Sequence, residues 1–163
     1  MKIRLGCCPY DNIAAMNFSR ITDDLLIGTT PRAQDYPHLH DLDVRLIINM
    51  RFAHPPVPNP FDLDLKLLWL RTIDSPLFPI PVRRLTQGAR AALETIREGG
   101  VVYTHCAYGR HRGVAMGAAV LIAQGQSPRE AMDLIKFKRR VADPDIFYIR
   151  GRILRFARKW ASK

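Results

Sequence analysis

VVYTHCAYGRHRGVAMGAAVLIAQG, residues 101–125, joins a β-branched apolar run to a segment that is apolar throughout. The first run is typical of a buried strand, and residues 113–123 are typical of a helix that is covered on every side. Residues 106–112 would then form the loop between strand and helix. Backbone N–H groups at such a junction point inward without partners, and together with the helix dipole they form a cradle for an anion.

The polar residues of this loop suit nucleophilic chemistry. Amides and the helix dipole stabilise the thiolate of Cys106, and a thiolate is a strong nucleophile. Arg112, six residues later, can direct two donors of its guanidinium onto phosphate oxygens, and Gly109 permits a tight turn and a close approach to a ligand. We therefore expect Cys106 to attack a phosphate ester that the loop amides and Arg112 hold. A buried structural cysteine beside exposed arginines would not explain a glycine and three basic side chains in one turn.

Length and cysteine content restrict the class of protein. The 163 residues suffice for a single catalytic domain, residues 1–163, with a substantial core. No apolar run is long enough to span a membrane, and the N-terminus lacks the apolar segment of a signal peptide. Adjacent Cys7 and Cys8 cannot easily pair, so a reducing cytoplasm is expected instead of a disulfide framework. We interpret both as small buried hydrophobic residues, with acylation or redox activity as the alternative.

Positive charge is concentrated near the C-terminus. The formal net charge is +10, and residues 136–163 hold ten Lys and Arg against two Asp. A basic surface attracts acidic lipid, phosphorylated substrates or nucleic acid, and this segment would suit peripheral contact with an anionic membrane. A solvated helix face without a partner is the alternative. Nucleic acid is not the expected partner, because no aromatic stacking platform or RNA-binding motif accompanies the charge.

The other predicted elements alternate as in an α/β protein. Apolar runs predict four strands, within residues 23–31, 44–50, 65–73 and 101–106. Helical spacing and end signals predict four helices, near residues 85–96, 113–123, 127–140 and 146–160. Proline-rich segments predict loops at residues 52–60 and 74–81. The expected fold is a central mixed or parallel sheet flanked by helices, with His38 and His40 on the surface and no metal site.

HCAYGRHRG, residues 105–113, resembles the His-Cys-x5-Arg signature loop of the protein tyrosine phosphatase superfamily, and within it the compact dual-specificity branch. ITDDLLIGTTP, residues 21–31, and RLIINM, residues 45–50, look like that branch's first strands. SPREAMDLIKFKRRVADPDIFYIRGRILRF, residues 127–156, is similar to its closing helix pair. The resemblance covers about residues 20–160. It implies the α/β fold of that branch and a cysteine-dependent phosphatase that acts through a cysteinyl-phosphate.

The resemblance also implies roles for single residues. It places a general-acid aspartate on a loop about thirty residues before the cysteine, and Asp74 stands 32 residues before Cys106. Asp62 and Asp64 are rivals, but they flank or enter a predicted strand. His105 would orient the loop by hydrogen bonds. The remaining loop positions are expected to bind substrate, namely Ala107, Tyr108, Gly109, Arg110, His111 and Gly113.

One loop position departs from the superfamily. A Ser or Thr usually follows the arginine, and its hydroxyl stabilises the departing thiolate when the phosphoenzyme is hydrolysed. This chain has Gly113 there, so we expect slow breakdown of the intermediate. A slow or inactive module that binds phosphate without releasing it is therefore an alternative to a full enzyme. A persulfide-carrying rhodanese is another alternative, although the Cys–Arg interval fits phosphate better.

The loop leaves the substrate open. A short chain has little material for deep pocket walls, which favours a tyrosine or dual-specificity protein phosphatase. Phospholipid or inositol phosphates are the main alternative, because phosphatases of phosphoinositides and of phosphatidylglycerophosphate carry a basic residue where Arg110 stands. They often carry a second where this chain has Ala107. RNA or nucleotide substrates are a further alternative. No cofactor is expected, because Arg112 and the loop amides supply what a metal would otherwise supply.

Overall fold

A computed structural model describes residues 16–162 of the chain. Within these residues, one sheet contains five strands in the order β1-β2-β5-β3-β4. The strands are β1 (Phe18–Thr22), β2 (Leu25–Gly28), β3 (Val44–Arg51), β4 (Lys66–Thr72) and β5 (Val101–His105). β1 is antiparallel to β2, whereas β2, β5, β3 and β4 run parallel. The predicted mixed sheet is confirmed. Cys7 and Cys8 lie outside the described residues.

Helices cover both faces of the sheet. They are α1 (Tyr36–Asp41), α2 (Val82–Arg97), α3 (Arg112–Ala123), α4 (Pro128–Lys138) and α5 (Phe147–Ala161). The four predicted helices correspond to α2–α5, and the capping box of α4 forms between Ser127 and Glu130 as expected. None of the described helices is long and apolar enough to cross a membrane.

The sequence pattern misses two short elements, β1 and α1. β1 has only five residues, and its polar composition gives no apolar run. α1 has six residues and a proline in its first turn, too few for a helical period to be visible. His38 and His40 therefore lie on a helix and not on a strand or loop. His38 is exposed and His40 is half-buried, as predicted for surface residues.

Alternate strand residues face two separate cores. Leu25 and Ile27 of β2 pack in the larger core beneath α2–α5, whereas Leu26 between them packs in the smaller core beneath α1. α3 lies at the centre of the larger core, with ten of its twelve residues buried. This explains why the segment is apolar throughout, since neither face of a central helix meets water.

The topology brings several loops to one edge of the sheet. β5 is the central strand, and it ends beside the carboxyl ends of β2 and β3. The loop 106–111 leads from this point into α3. Segment 73–81 after β4 and the connection between α4 and α5 lie at the same edge. Ligand sites in open α/β sheets form at this carboxyl edge.

Candidate active site

Cys106 lies directly after β5 and its side chain is buried. Side chains at the ends of the neighbouring strands hold its backbone carbonyl. Thr30 Oγ1, just after β2, donates to the carbonyl oxygen of Cys106 at 3.1 Å. Arg51 Nη1, the last residue of β3, donates in turn to Thr30 Oγ1 at 3.2 Å. The position of the sulfur is therefore set by three adjacent strand ends.

Arg112 is the first residue of α3 and reaches across the same edge of the sheet. Its Nη1 donates to the carbonyl oxygens of Met50 at 3.3 Å and Thr72 at 2.8 Å, near the ends of β3 and β4. Its Nε is buried and has no hydrogen-bond partner within residues 16–162. The guanidinium is thus fixed on one side and has a donor available to a ligand oxygen on the other.

Asp74 completes the group that the sequence predicted. Its Oδ2 lies 3.9 Å from Nε of Arg112. A pocket of about 370 Å³ is lined by the three predicted catalytic residues together with loop residues, namely Asp74, Cys106, Ala107, Tyr108, Arg110, His111 and Arg112. The structure therefore places the predicted nucleophile, the arginine predicted to bind phosphate oxygens, and the predicted general acid in one pocket.

The rival aspartates lie elsewhere. Asp64 lines a different pocket with Lys66 and Glu98, near the amino end of β4. Asp62 is further from β4 along the chain, in a left-handed turn with φ of 52°. Because β4 separates both from its carboxyl end, neither contributes to the pocket that contains Cys106.

Two side chains hold the two oxygens of Asp74. The Tyr148 hydroxyl, in the first turn of α5, donates to Oδ1 at 2.8 Å. His111 Nδ1 lies 3.1 Å from Oδ2, and the rings of His111 and Tyr148 meet edge to face at 5.9 Å. Burial, and then the hydrogen bond to Asp74, raise the pKa of Tyr148 to about 12, so its hydroxyl remains a donor at neutral pH. His111 contacts the predicted acid as well as the pocket.

Arg139 anchors the loop from outside. It is only 3% exposed, and its Nε donates to the carbonyl oxygen of Gly109 at 2.7 Å. Its Nη2 donates to the carbonyl oxygen of Tyr108 at 3.2 Å, and its Nη1 to Asn17 Oδ1 at 2.9 Å and Ser19 Oγ at 3.3 Å. Burial lowers the pKa of this guanidinium. The C=O and N–H of one peptide point in opposite directions, so the N–H groups of Gly109 and Arg110 point away from Arg139.

Sequence reasoning missed both Tyr148 and Arg139. Tyr148 lies outside the apolar stripe of the last predicted helix, and Arg139 was counted among the basic residues of the C-terminal segment. No local pattern marks either residue, because each acts on a segment far away in sequence.

The two loop glycines lie close to neighbouring backbone. Gly109 has φ of 59°, and a Cβ there would lie 2.6 Å from the carbonyl oxygen of Gly28 in β2. The expected tight turn is present, but the close approach is to β2. A Cβ at Gly113 would lie 3.0 Å from the backbone of His105 and 3.1 Å from Cys106 N. α3 therefore begins unusually close to the end of β5, where Thr104 Oγ1 donates to the carbonyl oxygen of Gly113 at 2.9 Å.

The remaining loop positions surround the mouth of the pocket. Ala107 is half-buried, whereas Tyr108 and Arg110 are exposed. Arg110 Nη2 lies 3.9 Å from Asp143 Oδ2, a carboxylate of the connection between α4 and α5. Within residues 16–162, no three His, Cys, Asp or Glu side chains are grouped as metal ligands would be.

His105 lies behind the loop, next to Cys106. It is buried, and its Nδ1 has no hydrogen-bond partner among the described residues. Its ring packs instead against Tyr103, with ring centroids 5.9 Å apart. Burial is the largest influence on this histidine and lowers its pKa to about 3. His105 is therefore a neutral residue behind the loop. A hydrogen bond with the backbone of Cys106, the first loop residue, partly offsets the effect of burial on its pKa. Its expected role in orienting the loop stays a prediction.

No protein-family model and no curated protein matches the sequence, but solved structures match the fold. Human DUSP28 is 22% identical, with a TM-score of 0.78 over 88% of this chain and 95% of that chain. A mouse putative dual specificity phosphatase complexed with zinc tungstate is 23% identical, with a TM-score of 0.79 over 89% of each chain. PTPMT1 is 25% identical, with a TM-score of 0.78 over 89% of this chain and 96% of that chain.

These comparisons agree with the expectation from the loop. The matched structures are phosphatases of the predicted type, and they align over most of the described residues. The predicted resemblance and the predicted fold class are confirmed. The chain has the fold of the compact dual-specificity branch of the protein tyrosine phosphatase superfamily.

Proposed function

We propose that the protein hydrolyses phosphomonoesters through a cysteinyl-phosphate intermediate. The observation that supports this most directly is the convergence of Cys106, Arg112 and Asp74 on one pocket, where Arg112 Nε is buried without a hydrogen-bond acceptor among residues 16–162. A guanidinium that is held by two backbone carbonyls is a preorganised donor for phosphate oxygens. Donors of this kind accelerate reactions by about 10²–10³-fold each.

The first step transfers the phosphoryl group to sulfur. The Cys106 thiolate attacks phosphorus, an S–P bond forms, and the bond from phosphorus to the leaving oxygen breaks. Asp74 gives its proton to the leaving oxygen, while Arg112 and the loop amides bind the other oxygens. Tyr148 and His111 hold the two oxygens of Asp74 and so set the direction from which the proton arrives.

The second step returns the thiolate. A water attacks phosphorus, Asp74 takes a proton from it, and the S–P bond breaks to leave inorganic phosphate. Gly113 provides no hydroxyl beside the departing sulfur. The nearby Thr104 hydroxyl does not replace it, because it donates to the carbonyl oxygen of Gly113. We therefore expect the second step to limit turnover.

The experiment is a phosphate-release assay with p-nitrophenyl phosphate, a phosphotyrosine peptide and phosphoinositides, using Cys106→Ser as the control. We expect release by the native chain, none by Cys106→Ser, and a phosphorylated protein after acid quenching. Iodoacetate should label Cys106 faster than an ordinary thiol. Binding of phosphate without release would support the binding module, and equal release by Cys106→Ser would contradict the cysteinyl mechanism.

Two substrate classes compete in this assay. The structural similarity to a mouse putative dual specificity phosphatase supports the protein substrate. The structural similarity to PTPMT1, also solved in complex with PI(5)P, supports a lipid substrate. A ratio of kcat/KM between peptide and lipid decides which class the protein prefers.

A further inference from the structure

We propose that exposed apolar side chains around the candidate active site form a surface that docks onto an anionic lipid bilayer. This inference rests on the proposed function, because it assigns the site a lipid phosphomonoester presented at the bilayer surface. The surface, called the rim below, consists of Leu77, Phe78, Tyr108, Phe137, Val141 and Phe147.

The rim residues are exceptional in their exposure. Leu77, Phe137 and Phe147 are 82%, 80% and 74% exposed. Nine large apolar side chains are exposed within residues 16–162, and six of them belong to the rim. They lie on the segment after β4, on the loop 106–111 and around the connection between α4 and α5. Apolar exposure that concentrates at one edge of a protein indicates an interaction site, since isolated exposed residues would be scattered.

The rim flanks the pocket on both sides. Leu77 and Phe78 line an apolar pocket of about 330 Å³ with Arg71. Tyr108 and Val141 line a second apolar pocket, and Tyr108 also lines the pocket that contains Cys106. A lipid surface that contacted the rim on both sides of the pocket would bring the phosphate of one lipid molecule to the sulfur of Cys106.

Two further residues extend this arrangement. Phe147 packs edge to face against Tyr148, whose hydroxyl binds Asp74, so the rim reaches the predicted general acid. Phe137 lies in the last turn of α4, two residues before Arg139, which binds the loop from outside. The rim thus follows the elements that build the site.

Cations lie between the apolar side chains. Lys138 is next to Phe137 and Arg140 is next to Val141, and both are exposed. Neither forms an ion pair within residues 16–162, and the same holds for Arg71 and Arg150. Basic side chains without carboxylate partners complement an anionic surface, in keeping with the net charge of +10.

A bilayer fits this arrangement better than a protein partner. The rim side chains belong to separate segments of the chain, namely the segment after β4, the loop 106–111, the end of α4, the connection after it and the start of α5. An interface of lipid headgroups accepts dispersed apolar side chains, and binding grows with inserted apolar area and with attraction between basic residues and anionic lipid. The phosphate of a lipid phosphomonoester lies at the same depth as the headgroups, where the pocket would face it.

The test measures co-sedimentation of the Cys106→Ser protein with vesicles, so binding is separated from turnover. One vesicle is phosphatidylcholine alone, and the other is an equal mixture of phosphatidylcholine and phosphatidylglycerol. We expect binding to the mixture and little to phosphatidylcholine alone. The triple variant Leu77→Ser, Phe137→Ser, Val141→Ser should bind at least about tenfold more weakly. Phe61→Ser, which removes an exposed apolar side chain outside the rim, should bind as the parent does.

Charge is tested with a matched pair of variants. Lys138→Gln with Arg140→Gln should weaken binding by roughly fivefold per cation removed. Arg90→Gln with Arg97→Gln removes the same charge from exposed positions of α2 and should have a smaller effect. Equal effects of the two pairs, or unchanged binding by the triple serine variant, would overturn the assignment to the rim.

Two other results would also overturn it. One is the absence of vesicle binding by the parent protein. The other is a concentration-dependent dimer in sedimentation that the triple serine variant abolishes, because a second copy of the chain would then cover the rim. With Cys106 restored, the triple variant should hydrolyse p-nitrophenyl phosphate normally but lose activity on lipid in vesicles. Absence of p-nitrophenyl phosphate hydrolysis by the native chain, with Cys106 in place, would instead refute the proposed function.

Discussion

Replacing Arg139 by methionine is expected to loosen the loop that carries Cys106 without touching any pocket residue. The guanidinium donates to the carbonyl oxygens of Gly109 and Tyr108 and is almost wholly buried. Methionine fills a similar volume and supplies no donor. Both carbonyls would then lose their partner, and their peptide planes, which direct the N–H groups of the loop, would be free to rotate.

The magnitude follows from these two contacts. A buried acceptor left without a donor costs about 1–3 kcal/mol, so two of them predict a decrease of about 2–6 kcal/mol in the free energy of unfolding. For a chain of this size, each kcal/mol changes Tm by about 2–4 °C, so the lower limit corresponds to about 4–8 °C. A displacement of the loop by about 1 Å would reduce kcat by about 10²-fold.

The neighbouring residue provides the control. Arg140 is exposed, and its side chain has no hydrogen bond or ion pair in the described part of the chain, so Arg140→Met removes the same charge without those contacts. Thermal unfolding and hydrolysis of p-nitrophenyl phosphate are measured for both variants. Arg139→Lys, which keeps the charge and one donor, should fall between them. Equal Tm and equal kcat for Arg139→Met and Arg140→Met would refute the role assigned to Arg139.

Three further predictions concern the site. Tyr148→Phe removes a hydrogen-bond donor to Asp74. Since the leaving group of phenyl phosphate needs the acid, kcat/KM should fall by about tenfold for phenyl phosphate and by less for p-nitrophenyl phosphate. Equal losses for the two substrates would contradict this role of Tyr148. Gly113→Ser should speed breakdown of the phosphoenzyme in a burst experiment. Gly113→Ala should not, because its Cβ lies at the same 3.0 Å from the backbone of His105 but carries no hydroxyl. The same breakdown rate in both variants would mean that packing, and not the hydroxyl, changes the rate. The pKa of His105 is about 3 in the folded chain, whereas that of an ordinary histidine is 6.5. Between these pH values the unfolded chain binds a proton at His105 and the folded chain does not. The free energy of unfolding therefore falls as pH falls through this range, by up to about 1.4 kcal/mol per pH unit. His105→Asn should flatten this slope in urea unfolding at pH 7, 6 and 5, and an unchanged slope would contradict it.

Some site residues were predictable from their neighbours in the sequence, whereas the contacts of others depend on segments that are distant in the sequence. Cys106, Arg112 and Gly109 were recognisable because a strand, a tight turn and a helix N-terminus are built from adjacent residues. Asp74 was predicted from the resemblance, which implies an aspartate about thirty residues before the cysteine, and from its place after a predicted strand. The role expected for His105 stays a prediction, because hydrogen bonding depends on which groups surround a side chain. Its Nδ1 is buried without a partner among the described residues, whereas a hydrogen bond with the backbone of Cys106 raises its pKa.

Periodicity and turn chemistry along the chain were enough to predict the mixed or parallel sheet and the buried helix, since backbone conformation depends on neighbours a few residues away. Packing between distant segments decided the rest. Tyr148 binds an aspartate 74 residues earlier, and Arg139 binds a carbonyl 30 residues earlier. The exposed rim likewise exists only because three separate connections meet at the carboxyl edge of the sheet. Such contacts form when α4 and α5 dock on the core, and no periodicity within either helix reports where its ends will lie.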